Sequence, residues 1–359
     1  MKVGIVGLPN AGKSSLFKAL TGAAVEAANY PFTTIEPNVA VVPVADERLD
    51  VVANVVGASS VVPDTISFHD IAGLVAGAHR GEGLGNRFLA NIRETDAIIH
   101  VVRTHKDPNV VHPDGRVEPV ADAETVETEL LYADLEQAER RLERVSKQAK
   151  SGDRHAIAEE AWLSELIDAL RAGRPARTVP APADAPDAVE LLQPLSAKPI
   201  LYVANVDEGS GAVPPALEQH ALAAGARAVA ISARLEAELA ELDADDAAVM
   251  RTDLGLERSS LETVVRGAFE LLALIAFFTA GAGRPAQSWH VIRGRTAFDA
   301  AGSIHSDIQR GFVRAEVIAW DELVDAGGYA AARERGTLRV EGRDYVMADG
   351  DVITIKFTP

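Results

Sequence analysis

Gly7-Leu8-Pro9-Asn10-Ala11-Gly12-Lys13-Ser14 decides the fold of this chain. The eight residues satisfy the phosphate-loop pattern GxxxxGK[ST] without deviation. Lys2-Val3-Gly4-Ile5-Val6 before them reads as a short buried strand, and Ser15-Leu16-Phe17-Lys18-Ala19-Leu20 after them as the first turns of a helix. In that order, strand, glycine turn and helix start curl backbone N–H groups around a phosphate and add the positive end of a helix dipole. Asn10, Ala11, Gly12, Lys13, Ser14 and Ser15 are therefore the candidate phosphate-binding residues. The Lys13 ammonium has the reach for β- and γ-phosphates, and the Ser14 hydroxyl for a Mg2+ ion bound to them.

Two further segments have the spacing of switch elements. Asp70-Ile71-Ala72-Gly73 follows a strand-like run, so Asp70 is a candidate for the Mg2+ shell and the Gly73 N–H for the γ-phosphate. Between the loop and Asp70 lies Asn29-Tyr30-Pro31-Phe32-Thr33-Thr34-Ile35-Glu36-Pro37-Asn38. Thr34, with Thr33 beside it, is the candidate third Mg2+ ligand.

Beyond the loop, apolar runs alternate with helical stretches. Val39–Val44 and Thr65–Phe68 read as adjacent strands, and Ala97-Ile98-Ile99-His100-Val101-Val102 as a buried parallel strand. The period then changes. Leu131, Leu135, Ala138, Leu142, Val145 and Ala149 recur at spacings of three and four opposite a charged face, a heptad-like helix. A turn at Ser151-Gly152-Asp153 leads to a second helix, read with Ile157, Ala161, Leu166 and Leu170 on one face, and Arg174–Pro186 reads as a Pro/Ala-rich linker. Strands at Pro199–Ala204 and Ala226–Ile231 resume the sheet pattern, and a helix is read over Leu261–Phe278. From about Ser288, short alternating segments with turns at Gly327-Gly328 and Asp349-Gly350 predict a small β-rich domain. The expected division is an α/β nucleotide-binding domain in two parts, 1–120 and 191–280, with a helical insertion over 121–190 and a C-terminal domain over 281–359.

Net charge is −18, from 35 Lys and Arg against 53 Asp and Glu, which opposes nonspecific binding of the whole surface to nucleic acid or anionic membrane. Residues Arg284–Pro359 carry ten basic and eleven acidic side chains, so this part is freer to meet RNA. There is no cysteine, which excludes thiolate catalysis and cysteine-ligated zinc. Met1 stands too close to Gly7 for a signal peptide, and no apolar run reaches membrane-spanning length. The expectation is a soluble cytoplasmic protein without a membrane partner.

Taken together, the loop, Asp70-Ile71-Ala72-Gly73-Leu74-Val75, Tyr30–Asn38 and Gly81-Glu82-Gly83-Leu84-Gly85-Asn86 resemble the Obg group of translation-factor-like P-loop GTPases, and within it the YchF, or Obg-like ATPase, family. Phe277-Phe278-Thr279-Ala280-Gly281 and Arg310-Gly311-Phe312-Val313-Arg314-Ala315-Glu316-Val317 carry the resemblance through the C-terminal part. It implies an α/β P-loop domain, a coiled-coil insertion and a β-grasp-like TGS domain, with ATP, and GTP as an alternative, as substrate. A ribosome or ribosomal subunit is the implied partner, in translation or stress response, with RNA contacts through the TGS domain. Arg293, Arg295, Arg310 and Arg314 are candidate phosphate contacts.

Where many GTPases carry a water-positioning glutamine, this chain has Leu74, which can neither orient nor deprotonate water. The resemblance puts that role on His112, making His112 and Lys13 the candidate catalytic residues. Guanine-specific relatives carry Asn-Lys-x-Asp where this chain has Asn205-Val206-Asp207-Glu208. A longer carboxylate at Glu208 shifts the acceptor for guanine N1–H and N2–H, and Val206 lacks the lysine stem that packs over the base. Asn205, Val206 and Glu208, with Ser232 and Ala233 of the following loop, are the candidate base-binding residues. Asn10 has two readings: a turn-stabilising side chain, or a K+ ligand as in related K+-dependent proteins. Rival functions are a GTP-specific ribosome-assembly switch and a nucleotide-gated binding protein in which hydrolysis is incidental.

Overall fold

The computed structural model describes residues 1–26, 38–71, 84–107, 110–112, 115–254 and 259–358. Thr33, Thr34, Gly73 and Leu74 lie outside them. The chain divides into two compact units, one of Met1–Val25, Ile35–Ala40 and Ser67–Ala268, the other of Glu26–Thr34, Val41–Ile66 and Phe269–Pro359.

The first sheet draws on β1 (Lys2–Val6), β2 (Val39–Val44), β4 (Asp64–Asp70), β5 (Ala97–Arg103), β6 (Ile200–Asn205) and β7 (Arg227–Ile231). Its order is β2-β4-β1-β5-β6-β7, with β1 paired in parallel to β4 and β5, β5 to β6, and β6 to β7. Every residue of β5 and β6 is buried, which accounts for their unbroken apolar runs. Around this sheet the chain forms α1 (Lys13–Glu26), α3 (Leu84–Arg93), α4 (Pro119–Ala149), α5 (Arg154–Arg171), α6 (Ala188–Leu192), α7 (Pro215–Ala223), α8 (Ala233–Leu239), α9 (Ala244–Asp253) and α10 (Ser260–Leu271). Val126, Leu130 and Ala133 of α4 pack with Ile98, Val102, Tyr202 and Ala204 of the sheet and Leu217 of α7.

Helix α4 is 31 residues long and serves two cores. Its first half is stitched to the sheet domain by buried polar groups. Asp134 accepts the backbone N–H groups of Leu195 and Ser196, each at 2.7 Å, and the Ser196 hydroxyl at 2.6 Å. Glu127 accepts from Tyr202 Oη at 2.5 Å and pairs with His220 Nε2 at 2.8 Å. Burial is the largest influence and opposes its charge, but the hydrogen bonds from Tyr202 and His220, with the charges of His100 and His220, together hold its pKa below the ordinary value. The second half packs on α5 through Ala138, Val145, Leu163, Leu166 and Leu170, and Arg141 reaches Glu159 at 2.7 Å. Burying each of these leucines contributes about 1.5–3 kcal/mol. Asp153 caps the start of α5 by accepting from His155 N at 3.0 Å.

Two details differ from the sequence reading. Ile157 and Ala161 are exposed; the inner face of α5 is turned so that Trp162 and Leu163 enter the core. The Arg174–Pro186 segment is not a free linker, because Ala176, Val179 and Ala185 are buried against the hairpin.

The second unit holds α2 (Glu47–Val56) and a sheet of order β11-β10-β12-β8-β9-β3. Its strands are β3 (Ser60–Val62), β8 (Leu274–Thr279), β9 (Pro285–Ile292), β10 (Phe312–Ala319), β11 (Arg339–Glu341) and β12 (Asp351–Phe357). Pairing is antiparallel for β8 with β9 and for β10 with β11 and β12, and parallel for β12 with β8 and β3 with β9. Strands β10, β11 and β12 fall within the β-rich region read from about Ser288. The helix read over Leu261–Phe278, however, ends at Leu271; Ala273 turns the backbone at φ 51° and Leu274–Thr279 is a strand. Four short helices were not read from the sequence: α11 (Ala297–Ile304), α12 (Ser306–Arg310), α13 (Trp320–Ala326) and α14 (Tyr329–Arg335). Among the described residues no helix is long and apolar enough to cross a membrane.

Candidate functional site

The loop between β1 and α1 has left-handed or otherwise restricted backbone at Gly7 (φ 153°), Asn10 (φ 61°) and Gly12 (φ 106°). Two of these positions also lack room for a side chain. A Cβ on Gly7 would lie 2.4 Å from the Val101 carbonyl oxygen, and one on Gly12 2.2 Å from Asn205 Nδ2. The loop thus closes against β5 on one side and the end of β6 on the other.

On its outer side the loop borders a cleft of about 510 Å³ at the C-terminal edge of the sheet. Asn10, Gly12, Lys13, Ser14 and Ser15 line one end, and Asn205, Val206, Asp207, Glu208, Ser232 and Arg234 the other. Open α/β sheets bind ligands at this edge, where the strand order reverses.

Lys13 is 7% exposed and its Nζ donates to the Leu8 carbonyl at 2.7 Å. Burial pulls its ammonium down to about 8, and the nearby Asp70 carboxylate only partly opposes this. Asp70, at the end of β4, is pushed above the ordinary carboxylate value by burial, with Lys13 again opposing. Both groups are thus short of compensating charge: the lysine favours an anion and the aspartate a cation. Ser14 is exposed beside them in the cleft. That donor set fits Mg2+, which takes one or two carboxylates and completes its shell with hydroxyls, water and phosphate. Among the described residues no cluster of three or more acidic or histidine side chains forms a closed metal cage.

At the far end, buried Asn205 ties three segments together. Its Nδ2 donates to the Ala11 carbonyl at 3.1 Å, and its Oδ1 accepts the Ala233 N–H at 3.1 Å. Its own carbonyl accepts from the backbone N–H and hydroxyl of Thr104. Val206 is buried, with its N–H on the Ile231 carbonyl at 2.9 Å. The Glu208 carboxylate takes two contacts from the Arg234 guanidinium, at 2.8 Å from Nε and 2.5 Å from Nη2.

His112 lies elsewhere. Its Nε2 is 2.9 Å from Asp122 Oδ2 at the start of α4, and both side chains are buried. It lines a separate cavity of about 10 Å³ beneath the loop, with Leu8, Pro9, Ala11 and His100. Burial drives His100 down to about 4, so that ring is neutral. The structure therefore brings Asn10, Gly12, Lys13, Ser14 and Ser15 together with Asn205, Val206, Glu208 and Ser232 around one cleft, whereas Ala11, whose N–H donates to the Leu8 carbonyl, and His112 line the other cavity.

Relatives match this chain over nearly its whole length. A ribosome-binding ATPase YchF of Haemophilus ducreyi is 48% identical over 99% of both chains. The chain belongs to the YchF family. The Bacillus subtilis and Escherichia coli O157:H7 proteins of the same description are 44% and 46% identical, again over 99% of each chain. The solved Schizosaccharomyces pombe YchF GTPase superposes with a TM-score of 0.86 at 31% identity, covering 99% of this chain and 97% of that one. Residues 2–138 match the MMR_HSR1 family model, described as a 50S ribosome-binding GTPase. Residues 274–358 match YchF-GTPase_C, described as a protein of unknown function (DUF933).

Three side chains of this YchF-family site escaped the sequence reading. Arg103, 3% exposed at the end of β5, donates to the carbonyls of His105, Asp107 and Val110 at 3.0–3.1 Å and so shapes the segment leading to His112. Asp122 holds His112. Arg234 follows the candidates Ser232 and Ala233, and its head group sits on Glu208. An arginine ending an otherwise apolar strand was the one available signal.

Proposed function

We propose that this chain is a Mg2+-dependent P-loop ATPase, with GTP as a second substrate, that works as a ribosome-associated nucleotide switch in the cytoplasm. The observation that carries the reading is the under-compensated Lys13–Asp70 pair at the phosphate end of a nucleotide-sized cleft. Its relatives' description as ribosome-binding ATPases supports the partner. The reading treats 1–120 and 191–280 as the nucleotide domain, 121–190 as a coiled-coil insertion, and 281–359 as a TGS domain that meets RNA.

The backbone N–H groups of Asn10, Ala11, Gly12 and Ser15 wrap the phosphates, with Lys13 on the β- and γ-oxygens and the Gly73 N–H on the γ-phosphate. Ser14, Asp70 and Thr34 would hold Mg2+, which would supply charge neutralisation at the oxygens where negative charge grows. Asn205, Val206, Glu208, Ser232 and Ala233 frame the base. Water attacks the γ-phosphorus, the bond to the β–γ bridging oxygen breaks, and ADP and phosphate leave. His112 orients the water.

Titration of ATP, GTP and non-hydrolysable analogues, followed by co-sedimentation with ribosomes in each nucleotide state, tests this. ATP binds at least as tightly as GTP on this reading. A guanine preference above about a hundredfold, the mark of a site built for one hydrogen-bond pattern, would return the chain to the GTP-specific switches. A second reading, a nucleotide-gated binder with incidental hydrolysis, draws on the seating of His112 away from the cleft. Unchanged single-turnover hydrolysis in His112→Ala would favour it.

A further inference from the structure

The phosphate loop has two faces in this protein. Asn10, Gly12, Lys13 and Ser14 line the outer cleft, whereas Leu8, Pro9 and Ala11 line the small cavity behind it, together with His112 and Asp122. His112 lines that inner cavity and not the cleft in which a γ-phosphate would lie. It also has a strong reason to stay. The His112–Asp122 contact is 2.9 Å long, with the two side chains 6% and 8% exposed. Short, buried contacts to a carboxylate are among the stronger hydrogen bonds in proteins, and they are costly to break one-sidedly.

The backbone around His112 is secured on its other side as well. Arg103 Nη1 donates to the Val110 carbonyl at 3.0 Å, and Asn10 Nδ2 to the Val111 carbonyl at 2.9 Å. Three consecutive residues are thus fixed by three different elements: β5, the phosphate loop and α4. One of those anchors, Asn10, also faces the cleft, so events at the phosphates bear directly on the segment that carries His112. The Asp122 carboxylate lies in the first turn of α4, where the helix dipole favours an anion. It therefore keeps part of its stabilisation when the imidazole leaves.

We propose that Asp122 is a positioning residue that holds His112 in a resting seat beneath the phosphate loop, and that release from this seat limits hydrolysis. The proposal rests on the reading of His112 as the water-orienting group. On this arrangement basal turnover is slow without any defect in the cleft, and α4 is the element through which turnover is set.

The test is single-turnover ATP hydrolysis by the full chain, with ATP affinity measured in parallel. Asp122→Asn removes the charge while keeping the shape. The expected result is a rate about tenfold faster, the equivalent of roughly 1.4 kcal/mol of weakened contact, at unchanged ATP affinity. Asp122→Glu restores the carboxylate and returns the rate toward that of the unmodified protein. The double variant His112→Ala/Asp122→Asn stays as slow as His112→Ala. A slower Asp122→Asn enzyme with normal ATP affinity overturns the proposal, because Asp122 would then be orienting His112 productively. An unchanged rate also overturns it, leaving a merely structural contact. A His112→Ala enzyme of normal rate would instead sink the underlying role of His112, which separates the two failures. Should the Asp122 variants not fold, acylation of histidines by diethylpyrocarbonate decides the matter in the unmodified protein. His112 should react far more slowly than exposed His305, and equal reactivity would exclude a closed resting seat.

Discussion

A Cβ on Gly12 would stand 2.2 Å from the amide nitrogen of Asn205, 193 positions away in sequence. The phosphate end and the base end of the cleft are therefore in direct contact, and the conformation of one constrains the other. Asn205 completes that junction by bonding Ala11 on one side and Ala233 on the other.

Gly12→Ala should consequently damage both ends. The substitution combines a φ of 106° with a steric clash, and strain of that kind costs about 1–3 kcal/mol. A lowered melting temperature and loss of both ATP and GTP binding by calorimetry are the expected results. Normal nucleotide binding would show that the junction yields easily.

Nucleotide affinity should weaken as pH rises through about 8. Burial sets the Lys13 ammonium at about 8 in the free protein, and phosphate binding requires its charged form. Affinity then falls toward tenfold per pH unit above that value, until the pKa of the complex is reached. Stability of the free protein moves the other way. Between about 8 and the unfolded lysine value near 10.4 the unfolded chain holds more protons, so this group makes folding more favourable as pH rises. Calorimetric titration between pH 7 and 10 checks the first trend and thermal melts the second.

Lys13→Ala and His112→Ala should separate binding from chemistry. Loss of Lys13 removes a ground-state phosphate contact and abolishes tight triphosphate binding. Loss of His112 leaves binding intact and slows single-turnover hydrolysis by roughly a hundredfold to ten-thousandfold. Equal losses of affinity in the two variants would contradict these assignments.

Arg234→Ala should raise the affinity for GTP relative to ATP. Arg234 occupies the Glu208 carboxylate that guanine N1–H and N2–H would otherwise approach. Both side chains are largely exposed, so the shift should be modest, roughly two- to fivefold in the GTP-to-ATP ratio. A ratio that moves toward ATP would mean the guanidinium hinders adenine instead.

Asn10 distinguishes a structural from an ionic role. Its amide nitrogen donates to the Val111 carbonyl, and only its Oδ1 has lone pairs to offer K+. Hydrolysis faster in K+ than in Na+, with the difference lost in Asn10→Ala, supports the ion. Equal rates in the two salts remove it.

Much of this organisation was legible because the relevant signals are local. Gly7 to Ser14 fix a loop whose geometry follows from its residue types, and the unbroken apolar runs of β5 and β6 mark central parallel strands. The paired spacing of α4 and α5 likewise predicted a hairpin. What escaped depends on distant partners. The buried face of α5 is set by where Trp162 fits, not by its periodicity alone. Leu271–Phe278 has no period at all, and a single turn at Ala273 converts what reads as a helix into a strand. The resting place of His112 depends on Asp122, an acidic residue among many in an acidic chain. Nothing in the sequence singles that carboxylate out before the fold brings it to the imidazole.

Helix α4 has no break across its 31 residues, which at 1.5 Å each make a rod roughly 45 Å long. Its near end carries Asp122 and its far end the turn at Ser151–Asp153. Angular displacement is conserved along a stiff rod, while linear displacement grows with distance from the pivot. Tilting α4 by about 5° at the sheet would carry the far turn some 2–4 Å, by the helix length given above. Conversely, a contact that clamps the turn would resist any tilt at the base with the full mechanical advantage of that length. The insertion is thus a lever whose short arm ends on a histidine.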